Sequence, residues 1–172
     1  MQCLTSSACI PDHWDFEDGA IHGFGNAPND ILRLSGTVVH GGSFSLEIQP
    51  NGGPVASGFD LFSQSYNLNG PSNGSAGDCP STSDLVNREG KTLSGWINLT
   101  NPPAGSTVTI YAGSAQTGSV TVTTVPAANG WFSFSGVTTN VGNVRYFGAT
   151  ITIPAGGGTY NGLIHVDDLS WK

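Results

Sequence analysis

The run of short alternating segments in the second half of the chain limits the fold more than any other feature. Apolar and β-branched residues recur at 93–99, 108–112, 120–125, 131–137, 149–153 and 163–171. Turn residues separate them at Asn101-Pro102-Pro103, Gly113, Asn129-Gly130 and 154–158. Segments of that length and period two are strands, and no helical stripe lies between them. The first half reads the same way. A strand over 13–17 turns at Asp18-Gly19, a glycine- and asparagine-rich loop over 20–30 is anchored by Phe24, and a strand over 31–34 turns at Ser35-Gly36 before Val38-Val39. His40-Gly41-Gly42-Ser43 then leads into Phe44, Leu46 and Ile48 alternating with Ser45 and Glu47, which predicts one buried and one wet face. A strand over 55–62 precedes 63–88, the longest irregular segment, which reads as a functional loop or an unrecognised strand. About ten strands at such spacing predict an all-β fold, two antiparallel sheets packed as a jelly-roll β-sandwich. No internal repeat of roughly 20–50 residues is evident, which argues against a solenoid or propeller.

Length fits one domain, 172 residues and 17.7 kDa, enough to bury a core without staples. Residues 12–172 are read as the sandwich and 1–11 as a linker or short disulfide loop. With 25 glycines and only 10% charged residues, the surface is built from Ser, Thr and Asn, which suits a secreted protein. A net charge of −7 and five basic residues, Arg33, Arg88, Lys91, Arg145 and Lys172, argue against a nucleic-acid partner, because no phosphate-tracking stripe can form. Anionic membranes and strongly acidic polysaccharides are disfavoured by the same count. No apolar run approaches the roughly 20 residues of a membrane span, and the N-terminus lacks the pattern of a signal peptide. A module excised from a longer secreted protein is the expectation. Cys3, Cys9 and Cys79 allow at most one internal disulfide, and Cys3–Cys9 and Cys9–Cys79 both remain open.

Both chain ends are acidic. The closing strand reaches the adjacent carboxylates Asp167 and Asp168 before Leu169 and Trp171, and reads as a strand with a charged kink. Neighbouring carboxylates repel, so keeping both ionised requires a cation, several donors or solvent. Trp14-Asp15-Phe16-Glu17-Asp18-Gly19 offers the other half of such a site, and the two ends can meet over one calcium ion.

Taken in order, Phe16-Glu17-Asp18-Gly19, His40-Gly41-Gly42-Ser43-Phe44-Ser45-Leu46, Ser94-Gly95-Trp96-Ile97-Asn98-Leu99, Gly130-Trp131 and Val166-Asp167-Asp168-Leu169 span roughly 12–172. This order resembles the jelly-roll carbohydrate-binding modules appended to bacterial glycoside hydrolases, the grouping of families four, nine, sixteen and twenty-two. The resemblance implies a structural calcium site from Glu17, backbone at Gly42 or Ser43, and Asp167 or Asp168. Against it stands the plainer reading, in which Glu17 and Asp18 decorate a turn and Asp168 accepts backbone hydrogen bonds. The resemblance also implies a sugar site in a groove of the concave sheet or at the loop-made edge.

A sugar presents C–H faces and a rim of hydroxyls, so it needs exposed rings with polar neighbours. Alternation places Trp96 with Ser94 and Asn98 opposite Ile97 and Leu99, and Tyr111 with Thr107 and Thr109 opposite Val108 and Ile110. Arg145 and Tyr146 form a candidate stacking and hydrogen-bonding pair, and Tyr66 flanks the long loop. The plainer reading makes Trp96 a cap on the core edge, and Phe62, Tyr66 and Tyr160 loop anchors. Trp14 and Trp131 are expected in the core. The four histidines lack zinc-triad spacing and are read as satisfied or exposed. Asn73-Gly74-Ser75 and Asn98-Leu99-Thr100 fit the glycosylation acceptor pattern.

A glycosidase needs two carboxylates about 5–5.5 or 6.5–9.5 Å apart across a cleft. Here the acids gather at the chain ends, and Glu47 and Glu89 have no evident partner. A lyase acting on uronates would want more cations, and no nucleophile motif is present. The expectation is a non-catalytic, calcium-stabilised module, a monomer tethered to an enzyme, that targets it to a neutral plant or microbial β-glycan polysaccharide. The alternative is a structural or adhesion sandwich without sugar binding, which gains if Trp96, Tyr111 and Tyr146 are buried.

Overall fold

The computed structural model describes residues 13–21, 24–25, 31–50, 54–65, 86–114, 118–144 and 146–172. The expected linker 1–11, the three cysteines, His22, Tyr66, Arg145, Asn73-Gly74-Ser75 and most of the 63–88 segment lie outside them. The strands are β1 (His13–Trp14), β2 (Phe24–Gly25), β3 (Ile31–Ser35), β4 (Ser45–Gln49), β5 (Phe59–Ser65), β6 (Val86–Asn87) and β7 (Thr92–Leu99). They continue with β8 (Thr107–Ser114), β9 (Gly118–Pro126), β10 (Gly130–Val137), β11 (Asn143–Val144), β12 (Tyr146–Thr152) and β13 (Ile164–Trp171). No helix occurs among the described residues.

One sheet runs β10-β7-β13-β4-β3 with β1 beside β13, the other runs β2-β5-β12-β8-β9, and β11 pairs with β6. All these pairings are antiparallel, giving the expected jelly-roll β-sandwich. Every run expected from residue 93 onward is a strand, with bounds moved by three residues at most.

The alternation of β7 does what period two requires: Leu93, Ile97 and Leu99 face inward, while Ser94, Trp96 and Asn98 face out. Across the core, Val108, Ile110 and Ala112 of β8 and Phe147, Ala149 and Ile151 of β12 meet them from the second sheet. Trp14, Phe147 and Trp171 join the two layers, with ring centroids 5.2 Å apart for Trp14 and Phe147 and 5.3 Å for Phe147 and Trp171. Gly95 faces the core because Leu169 and Phe134 occupy the space a Cβ would take.

Three expectations change. The first strand stops at Trp14, because Phe16 takes φ 61° to bury its ring and starts a turn closed by the Gly19 N–H on its carbonyl at 3.1 Å. The strand expected over 55–62 begins at Phe59, and Val55 makes only an isolated bridge to Tyr160. The wet face expected on β4 is covered: Phe44 is 37% exposed, while Ser45 is 0% and Glu47 7%. The loop before β4 folds over that face, so the Ser45 hydroxyl donates to the Val38 carbonyl at 2.6 Å, and Glu47 is clamped between Arg33 and His165.

Candidate functional site

The outer face of the second sheet carries two tyrosines in a reciprocal arrangement. Tyr111 of β8 stands opposite Gly148 of β12, and Tyr146 of β12 stands opposite Gly113 of β8. A Cβ on Gly148 would lie 2.5 Å from Tyr111 Oη, and one on Gly113 would lie 2.7 Å from Tyr146 Oη. Each ring therefore crosses the glycine of the neighbouring strand, which any larger residue would prevent. The ring centroids are 6.2 Å apart with planes 63° to one another. Both rings are half-buried, so their free faces meet solvent.

Asp60 of β5 fixes one ring. The Tyr111 hydroxyl donates to its carboxylate, as does Thr150 Oγ1 at 2.7 Å. Burial first, and then the Asp60 charge and hydrogen bond, hold the Tyr111 phenol well above its ordinary pKa, so it stays a neutral donor. The Thr109 and Thr124 hydroxyls pair at 3.1 Å on β8 and β9. Stacking surface, hydroxyls and one carboxylate thus share this face, a combination suited to a polyhydroxyl ligand.

A second constellation arises where β13 changes neighbours. One edge of β13 pairs with β4 through Ile164–Val166 and then with β1 through Leu169 and Ser170. Asp167 and Asp168 occupy the gap, and Asp168 is bent to φ 49°, the charged kink expected of the closing strand. The turn over 40–44 fills the opening. His40 and Gly41 N–H groups donate to Asp167 Oδ2 at 3.0 and 3.2 Å, and the Asp168 N–H donates to Asp167 Oδ1 at 2.8 Å. Ser43 and Phe44 N–H groups donate to Glu17 Oε1 at 2.7 and 2.8 Å. His40 Nδ1 lies 2.7 Å from Asp168 Oδ2. Burial raises the pKa of Asp167, opposed by its three N–H bonds and reinforced by Asp168.

Glu17, the glycine turn and both aspartates therefore converge. Ser43 enters through its N–H. Its carbonyl instead lies beside Gly36, 3.6 Å from where a Cβ there would stand. Among the described residues no three His, Cys, Asp or Glu side chains are placed to hold a metal by themselves. An ion here would need backbone oxygens as well, the mixed all-oxygen shell that suits calcium. Gly41 and Gly42 make the cradle: a Cβ on Gly42 would overlap the Glu17 carboxylate, and one on Gly41 would lie 3.1 Å from Asp168 Oδ2. The carboxylates are hard oxygen donors of the kind calcium takes, while the turn itself directs N–H groups at Glu17 and Asp167.

Trp96 and Asn98 do not join Tyr111. They stand on the outer face of the other sheet, where the His40 ring stacks on Trp96 at 3.8 Å. Trp131 is on that face too and not in the core: it pairs with Asn98 and is half-buried. Both parities of β10 carry aromatics, Trp131 on one side and Phe132 and Phe134 on the other, and Phe134 takes the core position. Trp14 and Phe62 are core, and Tyr160 is a buried anchor whose hydroxyl donates to the Leu163 carbonyl at 2.8 Å. Sequence reasoning missed Asp60 and His40. An acid inside a strand-like run beside Leu61 and Phe62 was the available signal for the first.

No protein-family model and no curated protein matches the chain. Solved structures do. The CBM22-1 xylan-binding domain of Paenibacillus barcinonensis Xyn10C aligns with a TM-score of 0.59 at 13% identity, over 93% of this chain and 91% of that one. The chain has the fold of the carbohydrate-binding jelly rolls. The C-terminal family 22 carbohydrate-binding module of Clostridium thermocellum Xyn10B aligns at 0.57 and 15% identity, over 92% and 89% of the two chains. CBM27-1 of Caldicellulosiruptor saccharolyticus, solved with mannohexaose, aligns at 0.58 and 11% identity, over 93% and 96%.

Proposed function

We propose that this jelly roll is a non-catalytic carbohydrate-binding module whose ligand lies across Tyr111 and Tyr146. The reciprocal tyrosine–glycine crossing carries the reading, because two glycines are needed to lay these two rings on a sheet face. Charge narrows the ligand class: a carboxylate beside the rings, held by Tyr111 and Thr150 on a chain of net charge −7, repels uronates and favours neutral sugars. Neighbours of the same fold are named for xylan or were solved with mannohexaose, which favours neutral β-linked hemicelluloses. Attached to a secreted hydrolase, such a module raises the enzyme's local concentration on its substrate. The spacer or adhesion alternative gains if Trp96, Tyr111 and Tyr146 are buried, and all three are partly exposed.

Calcium is the second part of the proposal, held by the carboxylates of Glu17 and of Asp167 or Asp168 beside the 40–44 turn. It would tie both chain ends to one turn and act on stability. An ion bound only by the folded form contributes about 2.7 kcal/mol at a hundredfold excess over Kd.

Affinity electrophoresis against xylan, mannan, mixed-linkage and β-1,3-glucans and a pectin tests the binding. Retardation by a neutral glycan, lost in Tyr111→Ala and Tyr146→Ala variants that melt as cooperatively as the parent, is expected. Equal retardation of parent and variants, or retardation by pectin alone, contradicts it.

A further inference from the structure

The outer face of the first sheet repeats the design of the tyrosine face. Trp131 and His40 make a corner with centroids 5.6 Å apart and planes at 67°, against 6.2 Å and 63° for Tyr111 and Tyr146. One ring of each corner is tied to a carboxylate: Tyr111 to Asp60, and His40 to Asp168 at 2.7 Å. His40 is fixed further by stacking on Trp96 at 3.8 Å. Polar side chains flank the corner, Asn98 opposite Trp131 and exposed Ser133 opposite Trp96.

The cross-strand row continues the pattern. Trp131 pairs with Asn98, Asn98 with His165, His165 with Glu47, and Glu47 with Arg33. His165 and Glu47 lie buried under the loop before β4, so the row is open to solvent at its Trp131 and Asn98 end and again at Arg33. Its charges are matched internally, since Glu47 bonds both His165, at 3.1 Å, and Arg33, at 2.7 Å. Little net charge is left to attract an ion. Two rings, an amide and a hydroxyl at the open end suit a polyhydroxyl chain.

We infer that Trp131, His40, Asn98 and Ser133 form a second contact for a pyranose unit of a neutral glycan, on the face opposite Tyr111. The two faces belong to different sheets, so one module can hold two separate chains and bridge them. The Trp131 contact stands on its own residues and survives even if the tyrosine face fails, whereas the bridging rests on both faces.

The test is an NMR titration of the indole N–H signals with xylohexaose and with mannohexaose, in calcium, using the parent and a Tyr111→Ala, Tyr146→Ala double variant. The Trp131 signal is assigned by its loss in Trp131→Phe. In the double variant that signal should still shift on adding one of the two oligosaccharides, with affinity in about the millimolar range. Trp131→Ala should abolish the corresponding shifts of the Asn98 side-chain amide. The parent should also raise light scattering of a soluble polymer that it binds, and Trp131→Ala should not. A Trp131 signal unmoved by both sugars in the double variant overturns the second contact. So does a Trp131→Ala protein that melts earlier yet scatters like the parent. Tyrosine variants that bind as well as the parent would count against the first face alone.

Discussion

Tyr111 reports on the binding face through two separable features, its ring and its hydroxyl. Tyr111→Phe keeps the ring over Gly148 and removes the bond that fixes it to the Asp60 carboxylate, so stability should fall by about 1.5–3 kcal/mol, the worth of a hydrogen bond to a charged group, while glycan affinity falls modestly. Tyr111→Ala should cost more, because the stacking surface goes too, and calorimetric titration of the two variants side by side checks the order. Gly148→Ala should destabilise the fold by about 1–3 kcal/mol, since its Cβ would lie 2.5 Å from both the Phe62 carbonyl oxygen and Tyr111 Oη. Thermal melts with a parallel binding assay read both effects. Part of this was legible in the sequence: alternation alone turned Tyr111 outward with Thr107 and Thr109. The glycine crossing was not, because which residue faces Tyr111 depends on the register with β12, a strand 35 residues further on that local pattern does not encode. Trp131 went to the wrong side for a different reason, since β10 is aromatic on both parities and period two cannot choose between them.

The kink in β13 organises the largest part of the molecule at the level of elements. It switches the partner strand, bends Asp168 and drives Leu169 against Gly95. Gly95→Ala should therefore overpack the core and lower stability by about 1–3 kcal/mol, measurable by denaturant unfolding with an unchanged m-value. Just before the kink, His165 is buried and its pKa is lowered, chiefly by burial, with the Glu47 bond opposing. A folded pKa below the unfolded value of about 6.5 makes stability complete above that pH and lost as pH falls from there through the folded value. Asp167 has the opposite sign: its raised pKa favours the folded form as pH falls toward 3.8. Melting curves between pH 7.5 and 5.5 should show a fall that His165→Gln flattens. The acid pair itself was legible as a kink, because two adjacent carboxylates cannot both be accommodated in an unbroken ladder. The covering of Glu47 and Ser45 was not, since it depends on a loop folding back over β4.

For the whole molecule, the two acidic ends meet at one turn, and the two sheets present rings on opposite outer faces. The first arrangement predicts that adding calcium raises the melting temperature of the parent and has little effect on Glu17→Gln or Asp168→Asn. An equal rise in all three contradicts the ion site and leaves the sandwich intact. The sandwich was legible because short alternating segments leave few alternatives to two packed sheets. Which outer face binds was not, because Trp96 and Tyr111 look alike in sequence and only topology assigns them to different sheets. The most direct measurement is therefore calorimetric titration of the parent, Tyr146→Ala and Trp96→Ala with the neutral glycan that retards the parent most in affinity gels. Binding of about the parent's strength in Trp96→Ala, with a loss of tenfold or more in Tyr146→Ala, about 1.4 kcal/mol, is the predicted result. Parent-like binding in Tyr146→Ala, or no binding by the parent itself, would contradict a glycan site on the tyrosine face.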